Sequence, residues 1–193
     1  MSYILNFPIK YEYAKATPGD YVVGKIPSAK YMYYGSPNKV IKVLSDISDT
    51  TATTNMFAAC SNLTTIIPFN MSNVNNMDSM FVSCSSLITI PLLDCQNVKS
   101  MSTFFGYSNV NSITNLGGFK DLGKQSSVGG ISSGFLDRAP NLTHESLMNV
   151  IENLYDRKSN GLSNMSIKLG TTNLAKLTDE EKAIAINKGW NLS

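Results

Sequence analysis

Apolar residues recur along the middle of this chain with a fixed period. Met56-Phe57, Met80-Phe81 and Phe104-Phe105 open three equivalent blocks, each 24 residues after the last. Cys60-Ser61-Asn62-Leu63 is matched by Cys84-Ser85-Ser86-Leu87, Ser72-Asn73-Val74 by Gln96-Asn97-Val98, and Met77 by Met101. A period in this range predicts a solenoid, because one unit can hide its apolar side only against the next copy. Leu63–Ile67 and Leu87–Ile90 are short β-branched runs stopped by Pro68 and Pro91, so each predicts one strand. Val74, Met77 and Met80-Phe81, like Val98, Met101 and Phe104-Phe105, recur every three to four residues and predict a short helix or helical turn on the opposite side. The expected repeat core is Met56, Phe57, Cys60, Leu63, Met77, Met80, Phe81, Cys84, Leu87, Met101, Phe104 and Phe105.

The flanks follow other patterns. Residues 1–50 hold seven of the nine tyrosines (Tyr3, Tyr11, Tyr13, Tyr21, Tyr31, Tyr33 and Tyr34), punctuated by Pro8, Pro18, Pro27 and Pro37. Strand-like runs lie at Tyr21–Ile26, Lys30–Tyr34 and Val40–Leu44. Fifty residues seldom make a secure core alone. The segment is therefore either a β-rich cap on the first repeat or an anchor packing on another protein, with the seven tyrosines as candidate interface residues. Ser45–Thr54 reads as a polar link. After the repeats, Val110–Leu116 predicts a third strand, and the Gly- and Ser-rich stretch 117–134 an insertion or degenerate repeat. Phe135 and Ala139-Pro140-Asn141-Leu142 resume the period. Thr143 caps a helix whose apolar face is Leu147, Val150, Ile151 and Leu154; Ser166–Leu169 predicts a strand. Thr178-Asp179-Glu180-Glu181 is a capping box opening a helix to Lys188, with Gly189 as stop and Trp190 and Leu192 packing back. The expected divisions are 1–50, repeats over 54–142, and a helical capping module over 143–193.

Composition narrows the chemistry. Charged residues are 16% of the 193 and the net charge is +2, with no Lys/Arg stripe, so nucleic acid is not an expected partner. Asn, Ser and Thr carry the polarity instead, as in ladders whose side chains bond to turn backbone. Met1–Lys10 lacks the pattern of a secretory signal, and no run of 18 apolar residues predicts a membrane span. Cys60, Cys84 and Cys95 lack CxxC spacing and are expected as small buried residues. A disulfide between the stacked Cys60 and Cys84 is the alternative, against which the uneven count argues. The single histidine, His144, opens a helix and is expected to face solvent; Asp78, Asp94, Asp121 and Asp137 are scattered with no acid–base spacing. The glycine-rich stretch lacks a following Gly-Lys-Ser/Thr. Asn62, Asn70, Asn141 and Asn164 open Asn-x-Ser/Thr triplets that composition explains. No catalytic residue, metal ligand or cofactor is expected, and no enzyme.

The blocks Asn55–Thr64 and Ser72–Cys84 resemble the BspA-type leucine-rich repeat, whose units read S-N-V-x-x-M-x-x-M-F-x-x-C-x-x-L. Gly118–Gly123, Asn141–Leu147 and Leu174–Trp190 look like that family's C-terminal module. The resemblance covers about residues 54–193 and implies an α/β solenoid of short parallel strands and helical turns with a helical C-terminal cap. The β-rich reading of the N-terminal segment, 1–50, rests on its own strand-like runs, and that segment shows no such resemblance. Short members occur in gut bacteria and their tailed, crAss-like phages. The expectation is a non-enzymatic virion structural protein, a head or tail fibre or decoration component, whose repeats serve interaction or host adhesion. Residues 1–50 would meet other virion proteins and the chain would self-associate. The alternative is a bacterial cell-surface adhesin. A host receptor or glycan is a further partner that can accompany the virion reading; a carbohydrate-recognising head needs exposed aromatics on the strand face, where Tyr107 is the one tyrosine of the repeat block.

Overall fold

The computed structural model describes residues 28–41, 43, 47–106 and 110–193. Among these, small parallel sheets and a few helices give an α/β arrangement. The strands in chain order are β1 (Val40–Ile41), β2 (Thr65–Ile66), β3 (Thr89–Ile90), β4 (Leu93–Asp94), β5 (Asn115–Leu116), β6 (Phe119–Lys120), β7 (Met165–Ile167) and β8 (Trp190–Leu192). The helices are α1 (His144–Asn153), α2 (Thr171–Leu174) and α3 (Asp179–Asn187), with a 3-10 turn at Leu136–Arg138.

The first sheet takes one strand from each successive copy, in the order β1-β2-β3-β5, all parallel. Val40 pairs with Thr65, Thr65 with Thr89 and Thr89 with Asn115. Strand alternation sends the next residue of each strand, Ile41, Ile66, Ile90 and Leu116, into the core. A second row of parallel bridges links Ala52, Asn76, Ser100 and Gly129. The expected strands at Leu63–Ile67, Leu87–Ile90 and Val110–Leu116 therefore shrink to β2, β3 and β5. Of the one at Val40–Leu44, Val40 and Ile41 form β1, and residues 42 and 44 lie outside the described residues. The run Tyr21–Ile26 lies outside the described residues.

Two expectations are corrected here. Of the short helix or helical turn expected over Val74–Phe81 and Val98–Phe105, only turns form, and the stretch around Met56-Phe57 one copy earlier is likewise a run of consecutive turns. Met56, Ala58 and Cys60 donate to Thr53, Asn55 and Phe57 carbonyls, which is helix-like. Yet Asn55, Ala59, Ser79, Ser83 and Thr103 all have φ between 51° and 60°, and no right-handed helix continues through that conformation. The left-handed residues turn alternate N–H groups toward the next copy. Asn55, Phe57 and Ala59 donate to Asp78, Met80 and Val82 carbonyls, and Ser79 and Phe81 to Ser102 and Phe104.

The second correction concerns the start of this pattern. Lys30–Tyr34 is turn, not strand, and Tyr31, Tyr33 and Gly35 donate to Thr54, Met56 and Ala58. Tyr31 and Gly35 carry the same positive φ as Asn55 and Ala59 do 24 residues on. The supposed polar link is likewise part of the ladder, since Thr50 and Thr53 are fully buried and Ala52 bridges Asn76.

The core follows the repeats. Met56, Phe57, Cys60, Leu63, Met77, Met80, Phe81, Cys84, Leu87, Met101, Phe104 and Phe105 are all buried. Tyr33 stacks on Phe57 at 5.6 Å and Phe57 on Phe81 at 5.4 Å, with rings nearly parallel. At Phe104 the packing turns edge-on, 5.3 Å from Phe81. Phe119 and Phe135 extend the cluster.

The supposed insertion is partly ordered strand: β6 pairs with β4, a two-stranded sheet the sequence pattern does not announce. Leu122 bridges Leu154, joining this region to the C-terminal module. That module holds α1, α3 and a parallel β7–β8 pair. Thr143 caps α1 by accepting from the Ser146 N–H, and α3 carries the full Thr178–Glu181 capping box. Trp190 is fully buried, and its Nε1 donates to the Tyr155 carbonyl at 2.9 Å. Gly123, at φ +89°, lets that ring in: a Cβ there would stand 2.3 Å from Cζ2.

Candidate contact surface

Three features face outward with enough regularity to be functional. The first is the outer row of the four-stranded sheet. Val40, Thr65, Thr89 and Asn115 lie there, with Ile67, Ile88 and Leu92 exposed nearby. Exposed apolar groups beside a flat, small-residue row are the ordinary material of a contact face.

The second feature is a polar groove of about 540 Å³ lined by Asp49, Thr51, Asn73, Asn75, Asn97, Lys99 and Gln125. It crosses four copies. Asn73 donates to the Ser48 carbonyl at 2.5 Å, Asn97 to Ser72 at 2.7 Å, and Gln125 to Gln96 at 2.9 Å. Each amide thus satisfies a main-chain acceptor of the copy before it, which is why carboxamides recur at this offset. Beside them Thr51, Asn75 and Lys99 form a parallel row. Main-chain bonds stack it: the Asn75 N–H donates to Thr51 and the Lys99 N–H to Asn75, both at 2.8 Å. These groove positions carry no signal beyond the 24-residue offset that matches Asn73 with Asn97, so residue type alone does not single them out.

The third feature is a smaller cavity of about 260 Å³ between the Leu136–Arg138 turn and α2, lined by Asp137, Pro140, Lys168 and Asn173 among others. Asn173 is buried and its amide is shared among the Leu136, Ala139 and Leu169 carbonyls. One Asp137 carboxylate oxygen is buried without a partner among the described residues.

The tyrosines divide. Tyr31 and Tyr34 are exposed and lie 5.7 Å apart, ring to ring, whereas Tyr33 is buried in the aromatic stack and faces inward. Tyr3, Tyr11, Tyr13 and Tyr21 lie outside the described residues. The cysteines are free and buried. Cys60 donates to the Tyr33 carbonyl and Cys84 to the Phe57 carbonyl, each at 3.0 Å, so the two thiols act as rungs. Burial pushes the Cys84 thiol up to about 12, with Cys60 beside it as a second cause. Burial raises Cys60 and, more strongly, Cys95.

Three titratable groups tie elements together. His144 is more than half exposed and meets Glu181 at 2.8 Å, tying the first turns of α1 and α3. Glu181 is held below its usual range first by the Thr178 N–H, then by His144. Lys188 donates to Ile151 and Glu152 carbonyls at the C-terminal end of α1, where a cation is favoured. Among the described residues no group of three or more His, Cys, Asp or Glu could hold a metal ion, and no helix is long and apolar enough to cross a membrane.

A family model described as "Mycoplasma protein of unknown function, DUF285" matches residues 15–118, just over half of the chain. No curated protein and no solved structure matches.

Proposed function

The chain belongs to the DUF285 family, and from that premise we propose that its side-by-side copies form a leucine-rich-repeat-like solenoid of the BspA type, working by contact and without catalysis. One observation supports this above others: four successive copies enter the sheet in a common register, with Val40, Thr65, Thr89 and Asn115 outward. A surface made by repetition extends one chemistry over a growing area. Such a surface suits recognition, whereas catalysis needs unlike groups converging at one point. The 24-residue period and the stacked Tyr33, Phe57 and Phe81 rings support a rigid rod, which keeps that face in shape.

The setting comes from the resemblance. We read the protein as a structural component of a tailed-phage particle, bound to other virion proteins through residues 1–50, with a bacterial cell-surface adhesin as the alternative. Particles from the producing culture, banded in a density gradient and analysed by quantitative mass spectrometry, test this. The expected result is a fixed copy number per particle, lost when residues 1–50 are deleted. Recovery on the cell envelope and not in the band supports the adhesin. Turnover of a small substrate, abolished by one substitution at a titratable residue, overturns the non-enzymatic reading.

A further inference from the structure

We propose that the polar groove over Asp49, Asn73, Asn75, Asn97, Lys99 and Gln125 binds a neutral oligosaccharide. The proposal rests on the solenoid reading, because only stacked copies make the groove continuous. Its floor is a ladder in which the amide nitrogens of Asn73, Asn97 and Gln125 are committed to main-chain carbonyls. Those bonds fix the three carboxamides in place and leave their oxygens as acceptors, of which Asn97 Oδ1 receives only a long 3.4 Å bond from Gln125. The neighbouring row supplies donors. Thr51, Asn75 and Lys99 side chains make no hydrogen bond or ion pair among the described residues. Acceptors held in one row and unengaged donors in the next suit a ligand whose groups donate and accept together, and hydroxyls do both.

Other ligand classes fit less well. Successive rungs are separated by the spacing of paired strands, about 4.8 Å, whereas an extended peptide advances about 3.3 Å per residue. A peptide lying along the groove therefore falls out of step with the rungs within two residues. Among the described residues the lining holds one acidic and one basic side chain, Asp49 and Lys99. That balance offers no excess positive charge for a phosphate backbone. The groove is shallow and open, with a volume of about 540 Å³, and among the described residues no aromatic or aliphatic side chain lines it. Binding carried by hydrogen bonds alone is weak, since each contributes only about 1 kcal/mol net. The affinity should therefore lie on the order of 1 mM for one site.

The side-chain amide resonances of Asn75, Asn97 and Gln125 report directly on the groove. The intact chain, labelled with nitrogen-15, is titrated separately with maltotriose, chitotriose and, as a peptide of comparable length, trialanine. The expected result is saturable movement of these resonances with at least one saccharide. In Asn75→Ala and in Lys99→Met the affinity, followed at Asn97 and Gln125, falls roughly tenfold, and Tm is unchanged because neither side chain has an internal partner. Three outcomes overturn the proposal: no saturable shift with either saccharide, equal or tighter binding of trialanine, or saccharide binding that both variants leave intact. None of these touches the contact-scaffold reading, which is decided by particle association and residues 1–50.

Discussion

Cys84 shows how one side chain can serve both the interior and the ladder. Its sulfur fills a core position, and its hydrogen satisfies the Phe57 carbonyl at 3.0 Å. A charged thiolate there would lose its hydration and could no longer donate, so the acidity moves from its ordinary 9.0 to about 12. A raised acid contributes stability that is complete below the unfolded value. Between about pH 9 and 12 the unfolded chain gives up this proton and the folded chain keeps it, so stability falls as pH rises. At about pH 10.5 the loss attributable to this thiol is on the order of 2 kcal/mol. The fall in urea midpoint from pH 8 to that pH should be smaller in Cys84→Ala than in the parent chain. Parallel losses in the two chains would remove the thiol from the account. Lys and Tyr titrations are common to both and cancel.

Helix ends are where single residues set an element. In α3, Thr178 Oγ1 accepts from the Glu181 N–H at 3.2 Å, and Glu181 returns a bond to the Thr178 N–H at 2.8 Å. Thr178→Ala should lower stability by about 1 kcal/mol, read from the urea midpoint. Glu181→Gln keeps the box but removes the charge. The Glu181 pKa is lowered, so its contribution is present above the ordinary carboxylate range and fades as pH falls through the folded value. The variant's acid-side stability curve should be flatter than the parent's. Such caps were legible in the chain: Thr143 and Thr178 stand where the patterns of α1 and α3 begin, and Gly189 just past the end of α3. Strand positions were legible too, through β-branched pairs stopped by Pro68 and Pro91. The left-handed residues inside the turns at Thr53–Cys60 and Met77–Cys84 were not. The apolar spacing of three to four in these turns matches a helix, and the left-handed residues that forbid one are Asn55, Ala59, Ser79 and Ser83, not glycines. The β4–β6 pair was hidden because Leu93-Asp94 and Phe119-Lys120 are two-residue strands, too short for any period. The polar groove was half legible: Asn73 and Asn97 fall in register, but Gln125 belongs to a copy whose spacing is stretched by the glycine-rich segment.

Repeated contacts pair the short parallel strands, and irregular contacts hold the C-terminal residues to the segment after β6. Arg157 is the chief of these, only 1% exposed. Its guanidinium donates to carbonyls of Gly123, Gln125 (2.8 Å), Ser126 (3.1 Å) and Ser163 (2.7 Å). Among the described residues no carboxylate balances it, and burial holds its pKa below the ordinary guanidinium value. Four main-chain acceptors from two regions thus converge on one cation, pinning the segment after β6 to the C-terminal module. Lys176 does the same on a smaller scale, reaching Pro140 and Leu142 carbonyls at 2.7 Å each. Arg157→Met would keep much of the volume but leave buried carbonyls without donors, each deprived acceptor costing about 1–3 kcal/mol. Arg157→Lys should fall between, because an ammonium offers three donors without the planar fork. The expected loss for Arg157→Met is about 3–5 kcal/mol, in the range for stripping the partner from a buried charged network. Its location matters more than its size. Hydrogen exchange should quicken first at Gly123–Ser126 and across β7 and β8, while the Thr65, Thr89 and Asn115 amides of the four-stranded sheet stay protected. Uniform acceleration along the whole chain would mean that ladder and closing module unfold as one unit and that Arg157 is no separate clasp.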